Sequence, residues 1–256
     1  DRFHYAPSTK FYLADQKAGN PWITKLHFPV YVVEKTETID QISKSRLSVS
    51  YEYHHGYYDS IEREFRGFGR VEQMDSESFE EFEHINEEQE AHFVHPILTK
   101  SWFHTGAYQE EAIISKQYES EYFKESDVVG AVRPENNYLL SDSQVALLNP
   151  SKFDVNREAY RALRGQTLRQ EVYALDGSEQ EQTPYTVTES NFTVRELQSK
   201  KTERHGVFMV VPNESIVFNY ERECCDPRVA HSIMLDIDYY GTPLQTVEVV
   251  YPRRIN

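Results

Sequence analysis

Cysteine is almost absent from this chain of 256 residues: there are two, and they are neighbours, Cys224 and Cys225. A bridge between adjacent cysteines is strained, so no disulfide framework is on offer and a packed core has to hold the fold. Long apolar runs are also missing. No segment approaches the roughly 20 apolar residues of a membrane-spanning helix, which argues against direct membrane insertion by that route. Positive charge is in short supply, with 27 Lys and Arg against 42 Asp and Glu for a net charge of −15. Such a field repels phosphate backbones and anionic lipids, so nucleic acid is not an expected partner. The chain begins at Asp1 with neither an initiator Met nor a signal-peptide apolar region, and reads as a segment excised from something longer.

What the chain does have is aromatic mass: 18 Tyr and 14 Phe, in a composition that is 39% hydrophobic with a mean hydropathy of −0.69. That is polar for a globular protein but too aromatic for a disordered one. Most of it is arranged with a period of two. In residues 46–53, Leu47, Val49, Tyr51 and Tyr53 fall on one face and Arg46, Ser48, Ser50 and Glu52 on the other, the pattern of a half-buried strand. Near the end Ile233, Leu235, Ile237 and Tyr239 alternate with polar residues, Gly241 and Pro243 punctuate, and Val247, Val249 and Tyr251 alternate again, which predicts a hairpin. Further strands are predicted over 28–35, 65–73, 98–103, 168–175 and 185–194. A last pair, 207–211 and 215–220, is split by Pro212-Asn213.

Helical signals are few and lie in the middle. Residues 107–124 lack Gly and Pro and place Ile114, Tyr118, Glu121 and Tyr122 near helical spacing, and Asn156 offers an N-cap to a short helix over 156–164 that Gly165 would stop. The acidic run 75–90, with Phe79, Phe82 and Ile85, reads as a solvated loop or an amphipathic connector. No repeat of solenoid length and no Gly/Ser- or Pro-rich linker divides the chain. The expectation is therefore one unit spanning residues 1–256, mainly β, built of long antiparallel strands with one or two short helices in the middle.

Chemistry-bearing motifs are mostly wanting. Histidines occur as His54-His55, as His92 and His95, and as His104; two imidazoles near a carboxylate such as Glu90 could hold a divalent metal, yet the spacing matches no established ligand pattern and packed or solvated histidines are the expected outcome. Gly67-Phe68-Gly69 lacks the third glycine and the strand-to-helix context of a nucleotide loop and reads as a bend or bulge in a strand. No nucleophile elbow or P-loop is present. Two Glu-x-Glu pairs, Glu62/Glu64 and Glu221/Glu223, carry the sharpest enzymatic alternative, because such a pair orients a ribose hydroxyl in ADP-ribosyltransferases; the strand-end Arg and Ser-Thr-Ser strand of those enzymes have no counterpart beyond Ser8-Thr9, far from either pair, and alternating charges on a solvated strand face, paired across strands with Lys or Arg, explain both. A carbohydrate- or receptor-binding β module is a third reading, suggested by the tyrosines but without an aromatic platform. No catalytic, cofactor-binding or metal-binding residue is assigned, and no cofactor is expected.

Longer stretches carry a resemblance. Residues 47–72, LSVSYEYHHGYYDSIEREFRGFGRVE, are similar to the signature that joins the propeller to the later shell in B components of bacterial insecticidal Tc toxins, the SpvB/TcdB-like family. Residues 96–108, 161–177, 184–197 and 220–241, the last with Asp226-Pro227-Arg228-Val229-Ala230-His231 at its core, resemble the same family in the same order. Tyr57-Tyr58-Asp59 and Asp238-Tyr239-Tyr240-Gly241 have the tone of RHS repeats, though a strand followed by a turn accounts for them as well. Cys224-Cys225 departs from the polar or Pro residues that the resemblance implies there.

The resemblance implies a noncatalytic segment of a secreted toxin: part of a curved, RHS-type β-sheet shell that with a C component encloses and protects a toxic cargo. Delivery would follow through a pore-forming A component bound by the rest of the parent chain. Two expectations follow from charge and topology. The net acidity, if it faces inward, would hold a basic unfolded cargo loosely. Open sheet edges would promote self-association of the isolated segment unless charged residues protect them.

Overall fold

Eleven strands join in one sheet in the computed structural model, which describes residues 1–42, 46–78, 95–109, 113–125, 140–146, 153–200, 203–223 and 226–253. They are β1 (Arg2–Pro7), β2 (Tyr31–Ile39), β3 (Arg46–Asp59), β4 (Glu64–Ser78), β5 (Ile97–Phe103), β6 (Gln144–Ala146), β7 (Thr167–Ala174), β8 (Thr186–Gln198), β9 (Val207–Asn219), β10 (Arg228–Ile237) and β11 (Pro243–Val250). Spatial order follows chain order, β1-β2-β3-β4-β5-β7-β8-β9-β10-β11, with each neighbouring pair antiparallel. Only β6 stands off this path, pairing parallel with β8 at residues 193–195, beyond the stretch 186–189 that β7 covers. Among the described residues the helices are α1 (Ser8–Ala18), a 3₁₀ turn (Lys116–Glu121) and α2 (Phe153–Ala162).

Register gives the sheet two unlike faces. One row of directly opposed residues runs His54, Arg70, Trp102, Arg169, Glu189, Ile216 and His231, and the next row on the same face runs Glu52, Glu72, Lys100, Glu171, Val187, Phe218 and Val229. Most of these are buried, because residues 114–125, Leu140 and α2 lie over them: Trp102, Leu168, Phe192 and Val194 pack with Tyr118, Tyr122, Ala159 and Leu163, while Leu140 packs with Val187, Ile216, Phe218 and Val229. A third cluster, Ala6, Phe11 and Trp22 with Tyr53 and Phe68, fastens α1 to the β3–β4 hairpin. The reverse face carries Tyr53, Val71, Ser101, Gln170, Thr188, Val217 and Ala230 in one row and Tyr51, Gln73, Thr99, Val172, Thr186 and Asn219 in the next. All of these but Ser101 are half-exposed or exposed.

Several predicted elements need correction. The chain start holds β1 and α1, neither of which was expected; α1 has Pro7 before it, no side-chain cap and no acid in its first turn, so the usual start signal is missing. Its end is conventional, with Gly19 at φ 82° and the N–H groups of Gly19 and Asn20 donating to Gln16 and Asp15 carbonyls. Residues 107–124 are not one helix: among the described residues only the 3₁₀ turn forms, because the Asp142 carboxylate takes the N–H groups of Ile114 and Ser115. Asn156 lies inside α2 rather than capping it, whereas Gly165, at φ 81°, does follow the helix end.

Three strand details also differ. The strands predicted either side of Pro212-Asn213 are one strand, β9: Asn213 is an extra residue at a bulge opposite Asn191/Phe192, and Asn191 Oδ1 accepts the Glu214 N–H. In β10 a bulge at Leu235 breaks the expected alternation, leaving Leu235 54% exposed and Ile237 buried. At the start of β3 Leu47 is 49% exposed while Ser48 is buried, the reverse of the predicted faces. The acidic run continues β4 as far as Ser78; residues 79–90 lie outside the described residues, as do His92 and Cys224-Cys225.

Gly67-Phe68-Gly69 is a bulge, as expected, with Gly67 at φ 95° where β4 carries one more residue than β3 between the Gly56–Phe68 and Tyr58–Phe65 pairs. A Cβ at Gly69 would lie 2.2 Å from the hydroxyl of fully buried Tyr118, so Gly69→Ala forces that ring out of place. The expected outcome is a loss of about 1–3 kcal/mol in urea unfolding. At Gly19, where nothing lies within 4 Å of a Cβ, the same change meets only the left-handed backbone and costs about 1 kcal/mol.

Candidate functional site

The buried rows concentrate charge at two points. At the first, Glu121 from the 3₁₀ turn reaches three strands: its Oε1 lies 2.6 Å from His55 Nε2, and its Oε2 accepts from Arg70 Nη1 at 2.8 Å and from Trp102 Nε1 at 3.0 Å. Burial alone would raise this carboxyl, but the His55 hydrogen bond and the nearby Arg70 outweigh it and hold it at about 2. His55 Nδ1 accepts the Ile23 N–H, so its proton sits on Nε2 and points at Glu121.

At the second, Arg169 is buried between two carboxylates, with Nε 2.6 Å from Glu171 and Nη1 3.0 Å from Glu189, and its guanidinium lies 4.7 Å from the centre of the Tyr122 ring. Its third nitrogen donates to the Phe123 carbonyl; Glu171 accepts from the Phe123 N–H and the Tyr173 hydroxyl, and Glu189 from the Leu140 N–H. Burial pushes Glu189 up against the pull of Arg169. It also works against the Arg169 charge, which the two carboxylates more than restore. Together the two clusters tie Glu121, Phe123 and Leu140 to the sheet through charged partners. The space enclosed by Ser115, Lys116, Tyr122, Glu189 and Asn191 admits about one water molecule, which leaves no room for an organic substrate.

The singled-out residues fall into place around these latches. His54 and His55 are both buried, and so is His104, whose Nε2 lies 2.7 Å from the Ile114 carbonyl while its Nδ1 accepts the Gly106 N–H. His95 is exposed. The Glu-x-Glu pairs do not alternate along a strand face, as the cross-strand explanation had it: Glu62 lies in the β3–β4 turn and Glu64 opens β4, while Glu221 and Glu223 lie in the connection after β9, with Arg63, Glu221 and Arg222 at positive φ. Glu64 meets Arg161 at 3.2 Å and Arg164 at 2.5 Å on the end of α2, and Glu62 approaches Arg161 at 3.9 Å. Glu221 pairs with Arg228, and Glu223 lies 4.0 Å from Arg253.

Of the tyrosine motifs, Tyr57-Tyr58-Asp59 ends strand β3 before a turn, and Asp238-Tyr239-Tyr240-Gly241 forms the turn after β10. Asp59 of Tyr57-Tyr58-Asp59 is buried, accepts the N–H groups of Ile61 and Glu62, and binds Arg66 at 2.6 Å and Arg157 of α2 at 3.3 Å. Asp238 accepts from the N–H groups of Tyr240 and Thr242 and so closes the last hairpin. Sequence reasoning missed Glu121, Asp142 and the Arg169–Glu171–Glu189 triad. The one available signal was charge at Arg169, Glu171 and Glu189 within predicted strands, on positions that share a face.

Arg169→Met leaves two buried carboxylates without a cation, and the expected cost is about 3–5 kcal/mol in denaturant unfolding. Acid should loosen the fold in two steps. Burial, against the Ile114 hydrogen bond, lowers His104 from 6.5 to about 4. Its folded pKa is below its unfolded one, so its contribution is complete above pH 6.5 and lost as pH falls towards 4, roughly 3 kcal/mol in all. Glu121, lowered from 4.5 to about 2, adds a second loss between those values. Unfolding measured against pH should flatten in the upper window for His104→Gln and in the lower one for Glu121→Gln.

Comparison with known proteins places these features. The model for the TcdB insecticide toxin middle/N-terminal region matches residues 2–106, and that for the middle/C-terminal region of the same toxin matches residues 158–256. None of the curated proteins compared with the chain matches it. Among solved structures, a TcdB2-TccC3 complex is 32% identical over 99% of this chain with a TM-score of 0.81, and TcdB2-TccC3 without its hypervariable C-terminal region is 32% identical over 99% with a TM-score of 0.82. A mutant Tc holotoxin pore of Photorhabdus luminescens is 33% identical over 99% with a TM-score of 0.83. The chain spans only 12%, 12% and 11% of the length of those chains. From its sheet order to its matched residues, the chain belongs to the TcdB family of insecticide toxins, as a segment of their middle region.

Proposed function

We propose that this chain is a noncatalytic wall segment of a Tc-type toxin B component. It helps form a hollow shell that, with a C component, encloses and protects a toxic cargo before delivery through a pore-forming A component contacted by the rest of the parent chain. The parent protein is a secreted toxin, and residues 1–256 act in it as one unit. The observation that carries this reading is the superposition of 99% of the chain on proteins solved as TcdB2-TccC3 complexes and as a Tc holotoxin pore.

The physical form suits the task. A wall works by excluding proteases and by limiting the conformations of what it encloses, so it needs area and rigidity rather than a reacting centre. Eleven strands supply the area, and latched loops on one face supply rigidity while leaving the other face open. Two rows of that face are uncharged across six strands, from Tyr53 to Val217 and from Tyr51 to Asn219, and the next row carries Asp75. An acidic lining, expected from the net charge, has no counterpart in these two rows. An uncharged face of Thr, Ser, Gln and Val side chains offers an unfolded polypeptide neither ion pairs nor a large apolar patch to adhere to. The Glu-x-Glu carboxylates, engaged with arginines at turns, support the noncatalytic reading.

The test is protease digestion of a C-component cargo co-expressed with the parent B component, intact or carrying Arg169→Met, together with an NAD-consumption assay on the segment. The wall reading expects cargo protected by the intact parent, exposed when the latch is broken, and no NAD turnover. Equal protection after deletion of the whole segment would overturn it. So would turnover that Glu62→Ala or Glu221→Ala abolishes.

A further inference from the structure

Beyond the latches, β3 and β4 bring together a group of donors that the wall does not use. Glu52 and His54 are two apart on β3 and share a face, and Glu72 lies directly opposite Glu52 on β4. One ligand atom from each lies within 4.8 Å of the other two. His54 is only 4% exposed. Its Nδ1 is 2.6 Å from Asp15 Oδ2 on α1, and the same oxygen accepts from Trp22 Nε1 at 2.6 Å. A carboxylate at Nδ1 fixes the proton there and turns the lone pair of Nε2 outward, the arrangement that orients histidines towards metals. That Nε2 is buried, has no hydrogen-bond partner, and faces Glu72 Oε1 at 3.8 Å.

Glu52 and Glu72 present a like-charged pair directly across the ladder, which repels in the absence of a cation. Arg70 compensates in part, with Nε 3.3 Å from Glu72, but its Nη1 is committed to Glu121 at 2.8 Å. We propose that Glu52, His54 and Glu72 form a site for a divalent transition-metal ion, with zinc the best fit to one imidazole and two carboxylates, and that Asp15 holds the imidazole in its ligating orientation. Bonds of about 2.0–2.1 Å would bring the three donor atoms to roughly 3.3 Å apart. Glu52 is exposed and free to make most of that adjustment by rotating its side chain. Three protein donors leave a fourth position for water or for a donor from another chain. Because Asp15 belongs to α1, the ion would also reinforce the attachment of α1 to the β3–β4 hairpin.

The experiment is titration of the chelator-treated 256-residue chain with Co2+, read by the visible absorption of the tetrahedral ion, followed by displacement with Zn2+. One equivalent should bind with that absorption in the native chain and in His205→Gln, a control for exposed histidines. Asp15→Asn should weaken binding by about 10–100-fold. The double variant Glu52→Gln/Glu72→Gln, which keeps both side-chain shapes and leaves His54 in place, should lose the absorption while retaining the native circular dichroism. Failure of the native chain to take up Co2+ with tetrahedral absorption, or unchanged affinity in the double variant, would overturn the assignment.

Discussion

Arg169 sits buried between Glu171 and Glu189, and the cover of the sheet depends on those three charges satisfying one another. Each is on a different position of the same face, and each also holds a group from the loops above it: Phe123 through Arg169 and Glu171, Leu140 through Glu189. Such a group is not obviously stabilising in total, since desolvating three charges consumes most of what their attraction returns. Its value lies in specificity. A register slip of one residue between β7 and β8 would turn Arg169 or Glu189 to the opposite face and strand the remaining charges in the interior, so the triad penalises the alternative pairings that a long antiparallel meander otherwise permits. The same logic holds at Glu121, where one carboxylate reads the positions of β3, β4 and β5 at once through His55, Arg70 and Trp102.

Rigid cover on one face explains why the other can stay open. Antiparallel sheets commonly pack one face and leave the other to water, and here the 3₁₀ turn, α2 and the buried charges lie on one side while α1 touches the other through Phe11 and Tyr53. The reverse side is left with short polar and β-branched residues at half exposure. Thr and Val at those positions still favour extended backbone. A chain of this design gains area at the expense of core, and polar latches supply part of the definition that a two-sided core would otherwise provide.

Strands were the legible part of the sequence because a period of two is a local property: β5, β7, β8 and the β10–β11 hairpin lie close to where alternation puts them. What escaped was set from a distance. Residues 107–124 have helical composition, but Asp142, some 27 positions later in the chain, claims the N–H groups a helix would need. Pro212-Asn213 looks like a turn until Asn191 on the neighbouring strand supplies an acceptor for the Glu214 N–H and makes the pair a bulge. The site was less legible still. His54 and His55 were visible as a pair, yet nothing local indicates that α1 would bring Asp15 to one and that the 3₁₀ turn would bring Glu121 to the other. The Glu-x-Glu pairs drew attention as chemistry, and the arginines that engage Glu62 and Glu64 arrive about 100 residues later, Arg161 from α2 and Arg164 from the turn after it.

The edges complete the physical picture. β1 and β11 end the strand order, and both show large apolar side chains to solvent: Phe3 and Tyr5 at 59% and 63%, Leu244 and Val250 at 63% and 80%. An edge of this kind is a template for another strand, and soluble proteins usually blunt it with inward charges, proline or a covering helix. Here Pro7 and Pro243 stand only at strand ends, and among the described residues no further strand pairs with the outer side of β1 or β11. The −15 net charge acts over a Debye length and slows the approach of like chains, but it is screened at physiological salt and does not fill a hydrogen bond. Local blunting is therefore weak where long-range repulsion is moderate. That combination suits a sheet whose edge strands are continued by further strands, and it disfavours one that ends in water.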